Sequence, residues 1–121
     1  RKERMLQACH DGFINATDAA DYLTEKGMSF RNAYKIVGAM VSYCIDNKKS
    51  LDTMSREEYK NFSELFEKDI YDEIAIEKCV EKRTTFGGPA ESSVRKHIEA
   101  TDEFITAEIE NLKNYKLNDI L

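Results

Sequence analysis

The chain has 121 residues, of which 41% are hydrophobic and 34% charged, with one proline, five glycines and a net charge of −5. This length supports one domain with its own core, and the composition is typical of a globular protein and excludes a disordered tail. The negative charge opposes polyanion binding in general, although the first 50 residues carry eight Lys/Arg against six Asp/Glu.

The three cysteines, Cys9, Cys44 and Cys79, are too far apart to form any zinc motif. We expect no metal site, and thiols that act as small apolar side chains in a reducing cytoplasm. The sequence has no apolar run long enough for a membrane span and no signal-peptide pattern. It opens at Arg1 without an initiator methionine, so we interpret it as a segment of a longer protein.

Apolar residues recur at helical spacing along the chain, and alternating strand patterns are lacking, so we expect helices throughout. A short helix over residues 2–9 precedes the stretch 12–38, which predicts two helices joined by a tight turn at Gly27. Asn15 or Thr17 should cap the first of these two helices, and Ser29 should cap the second.

The two helices of this stretch have different faces. The first has a stripe of small apolar residues, with Asp18, Asp21 and Glu25 on another face that we expect to be solvated rather than to bind a cation. The second predicts the core helix, ending near residues 47–49, and Gly38 within it suggests that another backbone crosses closely there. We expect three aromatic residues to pack: Phe30, Tyr34 and Tyr43. The core helix has its apolar stripe at Ala33, Ile36, Val37, Met40, Val41, Cys44 and Ile45.

The chain after residue 50 is also predicted to be helical. Ser55 and Glu58 predict a capping box that opens a helix at about 56–62, followed by short helices that fold against the second helix of 12–38. The helical pattern then continues to Lys82 and Arg83. Residues 84–89 predict a glycine turn, and the last helix runs over about 90–114, with an apolar stripe at Val94, Ile98, Ile105, Ile109 and Leu112.

The fold class predicted is all-α: one small helical domain over 1–121, built on two packed helix-turn-helix units with a long C-terminal helix. His97 has no cysteine or second histidine nearby. His10 is expected to cap the end of a helix, and His97 to lie mid-helix in a structural role.

The stretch GFINATDAADYLTEKGMSFRNAYKIVG at 12–38 resembles the C-terminal segment of argininosuccinate lyases, which belong to the fumarase/aspartase superfamily. That family shows GF, ATDLADYL, a KG turn, FR and an I-V-G helix. Here these correspond to Gly12-Phe13, Ala16 to Leu23, Lys26-Gly27, Phe30-Arg31 and Tyr34 to Gly38. Ser63 to Tyr71 and Arg83 to Gly88 are similar to later family segments, and the departures include Ala19 and Glu64, where leucine and proline are usual.

The resemblance implies the helical C-terminal domain of a cytoplasmic homotetramer of arginine biosynthesis. The intact enzyme splits argininosuccinate into arginine and fumarate by β-elimination, with no metal or organic cofactor. The family's catalytic serine loop, Gly-Ser-Ser-x-Met-Pro-x-Lys-x-Asn, is absent from this sequence, so no catalytic residue is carried over and the segment alone should be inactive. Thr17, Asp18 and Asp21 are the candidates for positions near the substrate.

Two other interpretations remain open from the residues alone. Helix, turn and helix is also the geometry of a DNA-binding module, in which Arg31, Asn32 and Lys35 would reach the major groove. The pI of about 5.1 and the absence of a cluster of phosphate-neutralising Lys/Arg argue against it. The other interpretation is an acidic helical interaction module.

Overall fold

The computed structural model describes residues 1–118, which form helices and turns, with no strand among them. The all-α fold class is therefore confirmed. A short 3₁₀ helix, Leu51–Thr53, lies between the third and fourth of the seven α-helices within this range. These are α1 (Lys2–Asp11), α2 (Ala16–Glu25), α3 (Phe30–Asp46), α4 (Arg56–Phe62), α5 (Ile70–Glu73), α6 (Ile76–Glu81) and α7 (Glu91–Asn118).

The chain divides into two compact units, with the boundary between Cys79 and Val80. The first contains α1 to α5 and most of α6, and the second contains the glycine turn and α7. That residues 1–121 make up a single domain stays a prediction. None of the helices in the described part of the chain is long and apolar enough to cross a membrane.

The turn between α2 and α3 has the predicted glycine geometry. Gly27 adopts a φ of +94°, a left-handed conformation that glycine reaches at little cost. Its N–H donates to the Thr24 carbonyl at 2.9 Å, and the Met28 N–H donates to the Leu23 carbonyl at 3.0 Å. This pair of hydrogen bonds is a Schellman motif, which ends α2 and allows α3 to pack directly against it.

The core of the first unit lies between α2, α3 and the segments that follow them. Apolar side chains three and four positions apart lie on one side of each helix and face this core, which confirms most of the predicted apolar faces. Ile45, however, is 61% exposed, since nothing in the described chain covers the end of the α3 stripe. The buried side chains include Ala19, Ala20, Leu23, Ala33, Val37, Met40, Cys44, Leu51, Tyr59, Phe66, Ile70 and Ile74.

Two of the three aromatic side chains predicted to pack do not do so. Phe30 is 61% and Tyr34 69% exposed. They lie on the first turns of α3, where their rings contact each other at 6.2 Å between centroids. Tyr43 is half-buried and meets Phe62 edge to face at 5.6 Å, so it confirms the prediction and joins α4 to α3.

The predicted helix caps have mixed outcomes. Ser55 and Glu58 form the capping box: the Glu58 N–H donates to Ser55 Oγ at 3.2 Å, and the Ser55 N–H donates to Glu58 Oε2 at 2.7 Å. Asn15 and Ser29 occupy the positions before α2 and α3, but neither side chain accepts a capping hydrogen bond. Asn15 is buried, and its amide is used in longer-range contacts.

The segment after α4 was expected to fold against α3, but α5 packs chiefly against α2. Aromatic rings connect these parts. Tyr22 stacks on Phe66 at 5.8 Å, and Tyr59 contacts Phe66 at 5.0 Å. The buried Tyr59 hydroxyl donates to the Leu51 carbonyl at 2.7 Å, which satisfies its polar end within the core.

In the second unit, residues 84–89 form the predicted turn. Gly87 has a φ of +79°. A Cβ on Gly88 would lie 2.3 Å from the Arg83 carbonyl oxygen, so only glycine fits there. In α7 the predicted apolar stripe is present, but each of its five members is at least 45% exposed.

Candidate functional site

The three residues predicted to lie near a substrate are on α2, but in different environments. Thr17 and Asp21 are exposed, one helical turn apart. Asp18 is only 6% exposed. The expectation that Asp18 shares a solvated face with Asp21 and Glu25 is therefore wrong for Asp18, because the first turn of α2 is covered on that side. Thr17, Asp18 and Asp21 therefore do not form one cluster that faces the same side of the helix.

Thr17 borders a shallow apolar groove, the α2–α3 groove, with a volume of about 350 Å³. Ala16 and Ala20 of α2 line it opposite α3, which contributes Phe30, Tyr34, Val37, Gly38 and Val41. Small side chains lie on both helices, and exposed aromatic rings lie at one end. The groove can therefore accept apolar groups, and it has no charged side chain in its lining.

Gly38 lies in this groove without the close neighbour expected from the sequence. A Cβ built on it would meet no atom within 4 Å. The prediction that another backbone crosses at Gly38 is thus wrong for the described part of the chain, since the space above the glycine is open.

A second, polar cleft of about 470 Å³ lies beside the segment that follows α3. In this cleft His10 Nδ1 lies 3.2 Å from Asp52 Oδ2. The same carboxylate accepts hydrogen bonds from Ser50 Oγ at 3.2 Å and from Asn15 Nδ2 at 3.4 Å. His10 therefore binds an aspartate instead of capping α1, which corrects the sequence-based expectation.

This arrangement is not a serine–histidine pair in which the histidine acts as the base. A base must accept the proton of the hydroxyl that it activates, whereas the Ser50 hydroxyl donates to Asp52, not to His10. Asn15 Nδ2 also donates to the Ile74 carbonyl at 3.0 Å. Asp52 is thus the centre of a polar network that connects α1, α2 and the 3₁₀ helix.

The glutamate of the α4 capping box is held in its charged form by three donors. Glu58 Oε1 accepts hydrogen bonds from Lys49 Nζ at 2.5 Å and from the Tyr43 hydroxyl at 2.6 Å. These bonds and the Ser55 amide stabilise the charged form and lower the pKa of Glu58 to about 2. A carboxylate so fully engaged is a structural anion rather than a proton acceptor.

His97 and the three cysteines, which were also singled out in the sequence, lie in environments that suit a structural role. The His97 ring meets Phe86 at 4.9 Å. Burial raises the pKa of the Cys44 thiol, in keeping with an apolar role, and none of the cysteines forms a disulfide. Within residues 1–118 no group of three or more His, Cys, Asp or Glu side chains could hold a metal ion.

Comparison with known proteins gives a consistent set of matches. The model of the family described as argininosuccinate lyase C-terminal matches residues 13–81, which include α2 to α6 and the whole α2–α3 groove. The match supports the lyase interpretation rather than a DNA-binding module.

Individual relatives match over most of the chain. It is 50% identical over 108 residues to an argininosuccinate lyase of Acetivibrio thermocellus, covering 89% of this chain and 24% of that protein. The corresponding protein of Caldicellulosiruptor bescii is 51% identical over 86% of this chain and 22% of its own length. That of Clostridium perfringens is 46% identical over 95% and 25%. The chain thus spans about a quarter of the length of these relatives.

Proposed function

Because this chain belongs to the argininosuccinate lyase C-terminal family, we propose that it serves as the C-terminal domain of a lyase that cleaves argininosuccinate to arginine and fumarate. The observation that carries the proposal is the family match over residues 13–81, supported by about 50% identity over nine-tenths of the chain. The enzyme would act in arginine biosynthesis.

The proposed reaction is a β-elimination. A base removes a proton from the carbon next to the one that carries the guanidinium nitrogen. The C–N bond then breaks, the nitrogen leaves with the electron pair and takes up a proton as arginine, and the new C=C bond gives fumarate. The family's serine loop is not found in this sequence, so the chemical groups for these steps would come from the rest of the lyase.

The role of the described chain is accordingly structural. It has a buried helical core and carboxylates engaged in internal contacts, such as Glu58 and Asp69. The intact protein would be a homotetramer in the cytoplasm, with several subunits contributing to each active site, and it would need no metal or organic cofactor.

Of the α2 candidates, Thr17 and Asp21 are accessible for a contact near the substrate, whereas Asp18 is buried. We propose that Asp18 acts by positioning α2 and that a substrate contact, if α2 makes one, comes from its exposed side. Alanine substitution of each residue in a full-length lyase separates these roles, because loss of a substrate contact raises KM without lowering the Tm.

The proposal is tested by comparing the isolated chain with a full-length chimera. In the chimera, residues 1–121 replace the matching quarter of the Acetivibrio thermocellus lyase. Fumarate formation from argininosuccinate is followed by absorbance. We expect turnover by the chimera and none by the isolated chain. Turnover by the isolated chain at enzyme-like rates contradicts the structural role, and an inactive but folded chimera contradicts the lyase assignment.

A further inference from the structure

The α2–α3 groove is an apolar surface that the described chain leaves open. Phe30 and Tyr34 in its lining are more than 60% exposed, and Ala16, Ala20 and Gly38 also line it. Exposed aromatic rings beside small residues are characteristic of a surface on which another element packs, because the small residues allow close approach of its backbone.

Gly38 is the most specific sign of a missing neighbour. A glycine inside a helix lowers helix stability relative to alanine, and here a methyl group would meet nothing within 4 Å. Its φ is not in the left-handed region, unlike those of Gly27 and Gly87. Nothing in the described fold therefore requires glycine at this position.

We infer that the α2–α3 groove is the docking site for an apolar helix face from the part of the same lyase polypeptide that lies outside these 121 residues. The inference rests on the proposed function. Relatives extend over about four times the matched length, so such a protein has ample chain to supply the helix. All eight groove residues lie inside the segment that matches the family.

The size of the groove favours an occupant from the same polypeptide. A stable interface between separate proteins needs about 20 to 30 residues on each side, whereas eight residues line this groove. A helix that is covalently connected has a high effective concentration and can dock on a smaller surface. The apolar lining with no charge also suits a helix face of Leu, Ile or Ala better than a charged ligand.

The first test compares Gly38→Ala in two contexts. In the isolated chain the substitution should raise the Tm by about 4 °C, because alanine favours the helix and the space is open. In the chimera with the Acetivibrio thermocellus lyase it should lower the Tm, because the methyl group meets the docked backbone. Ala39→Ser, at an exposed neighbouring position, is the control and should shift the Tm equally in both. A higher Tm for Gly38→Ala in the chimera as well overturns the inference.

The second test identifies the occupant without relying on turnover. A benzophenone photo-crosslinker at position 34 of the chimera should react with a segment outside residues 1–121. The product should keep the mass of one polypeptide on a denaturing gel. The same group at position 39 is the control. A crosslink to a second subunit, or no more crosslinking than at position 39, overturns the inference. An inactive chimera that still gives the position 34 crosslink contradicts only the lyase assignment.

Discussion

The Tyr22 hydroxyl donates a hydrogen bond of 2.5 Å to Asp69 Oδ1, joining α2 to the segment that begins α5, 47 residues further along the chain. Tyr22 is 4% exposed. Its oxygen also accepts a hydrogen bond from the Glu67 N–H at 3.1 Å, and the Lys26 ammonium lies 4.7 Å from its ring centroid. Donation from Tyr22 stabilises the carboxylate and lowers the pKa of Asp69.

Tyr22→Phe should lower the free energy of unfolding by about 1 kcal/mol, because it removes the hydrogen bond to Asp69 and leaves the Glu67 N–H without its acceptor. Urea denaturation followed by circular dichroism measures this. Tyr34→Phe is the matched control, since its side chain is 69% exposed, and it should change stability little. Equal effects of the two substitutions would contradict the role given to Tyr22.

Glu58 makes stability dependent on pH in the acid range. Its pKa is lowered from 4.5 to about 2 in the folded state, so its stabilising effect is fully present above pH 4.5 and is lost as pH falls through about 2. Glu58→Gln should therefore lower the Tm at neutral pH, by an amount that shrinks below pH 4.5. Thermal melts across pH measure this.

Glu57→Gln, at the adjacent exposed position of α4, is the control for the pH experiment and should leave the shape of the pH profile unchanged. A Tm difference between wild type and Glu58→Gln that stays constant down to pH 2 would show that the carboxylate contacts contribute no pH-dependent stability.

Substitutions at Asn15 distinguish a helix-capping role of its side chain from a role in long-range hydrogen bonds. Asn15→Asp keeps an oxygen that can cap α2, but it removes the Nδ2 donor to Ile74 and adds a second carboxylate near Asp52. If the long-range contacts matter, both Asn15→Asp and Asn15→Ala should lower the free energy of unfolding by about 2 kcal/mol. If Asn15 acted as a helix cap, the aspartate variant would keep wild-type stability in urea denaturation.

Substitutions along the apolar stripe of α3 should differ sharply in their effect on the free energy of unfolding. Met40→Ala should lower the free energy of unfolding by about 3 kcal/mol, because Met40 is fully buried. Ile45→Ala, on the same predicted stripe but 61% exposed, should change it by less than about 0.5 kcal/mol. Denaturant titrations of both variants measure the contrast, and a comparable loss at Ile45 would show that another part of the isolated chain covers it.

Gly88→Ala should disrupt the turn before α7. The added Cβ would lie 2.3 Å from the Arg83 carbonyl oxygen and 2.8 Å from that of Thr85, and relieving the clash should cost about 2 kcal/mol. Hydrogen exchange at the amides of Gly88 and Ala90, which donate to these two carbonyls, should speed up. Ser92→Ala, exposed in the first turn of α7, is the control, and unchanged exchange in Gly88→Ala would refute the steric argument.

The features predicted correctly from the sequence are local ones. The Gly27 turn, the Ser55–Glu58 capping box and the long α7 depend on residues within four or five positions of one another, where spacing alone specifies the hydrogen bonds. The family resemblance also rested on contiguous segments, and the family match over residues 13–81 confirmed it.

Helical periodicity and turn residues specify the helices, their turns and their apolar faces, because these signals act over short separations. Which of these faces are covered depends on the tertiary structure. In the folded chain Asp18 is buried, and the Asn15 amide donates to Ile74, which lies 59 residues further along the sequence. Phe30, Tyr34 and Ile45 stay exposed, and the space above Gly38 is open. Burial depends on which distant segment packs against a helix, and helical periodicity carries no information about that partner.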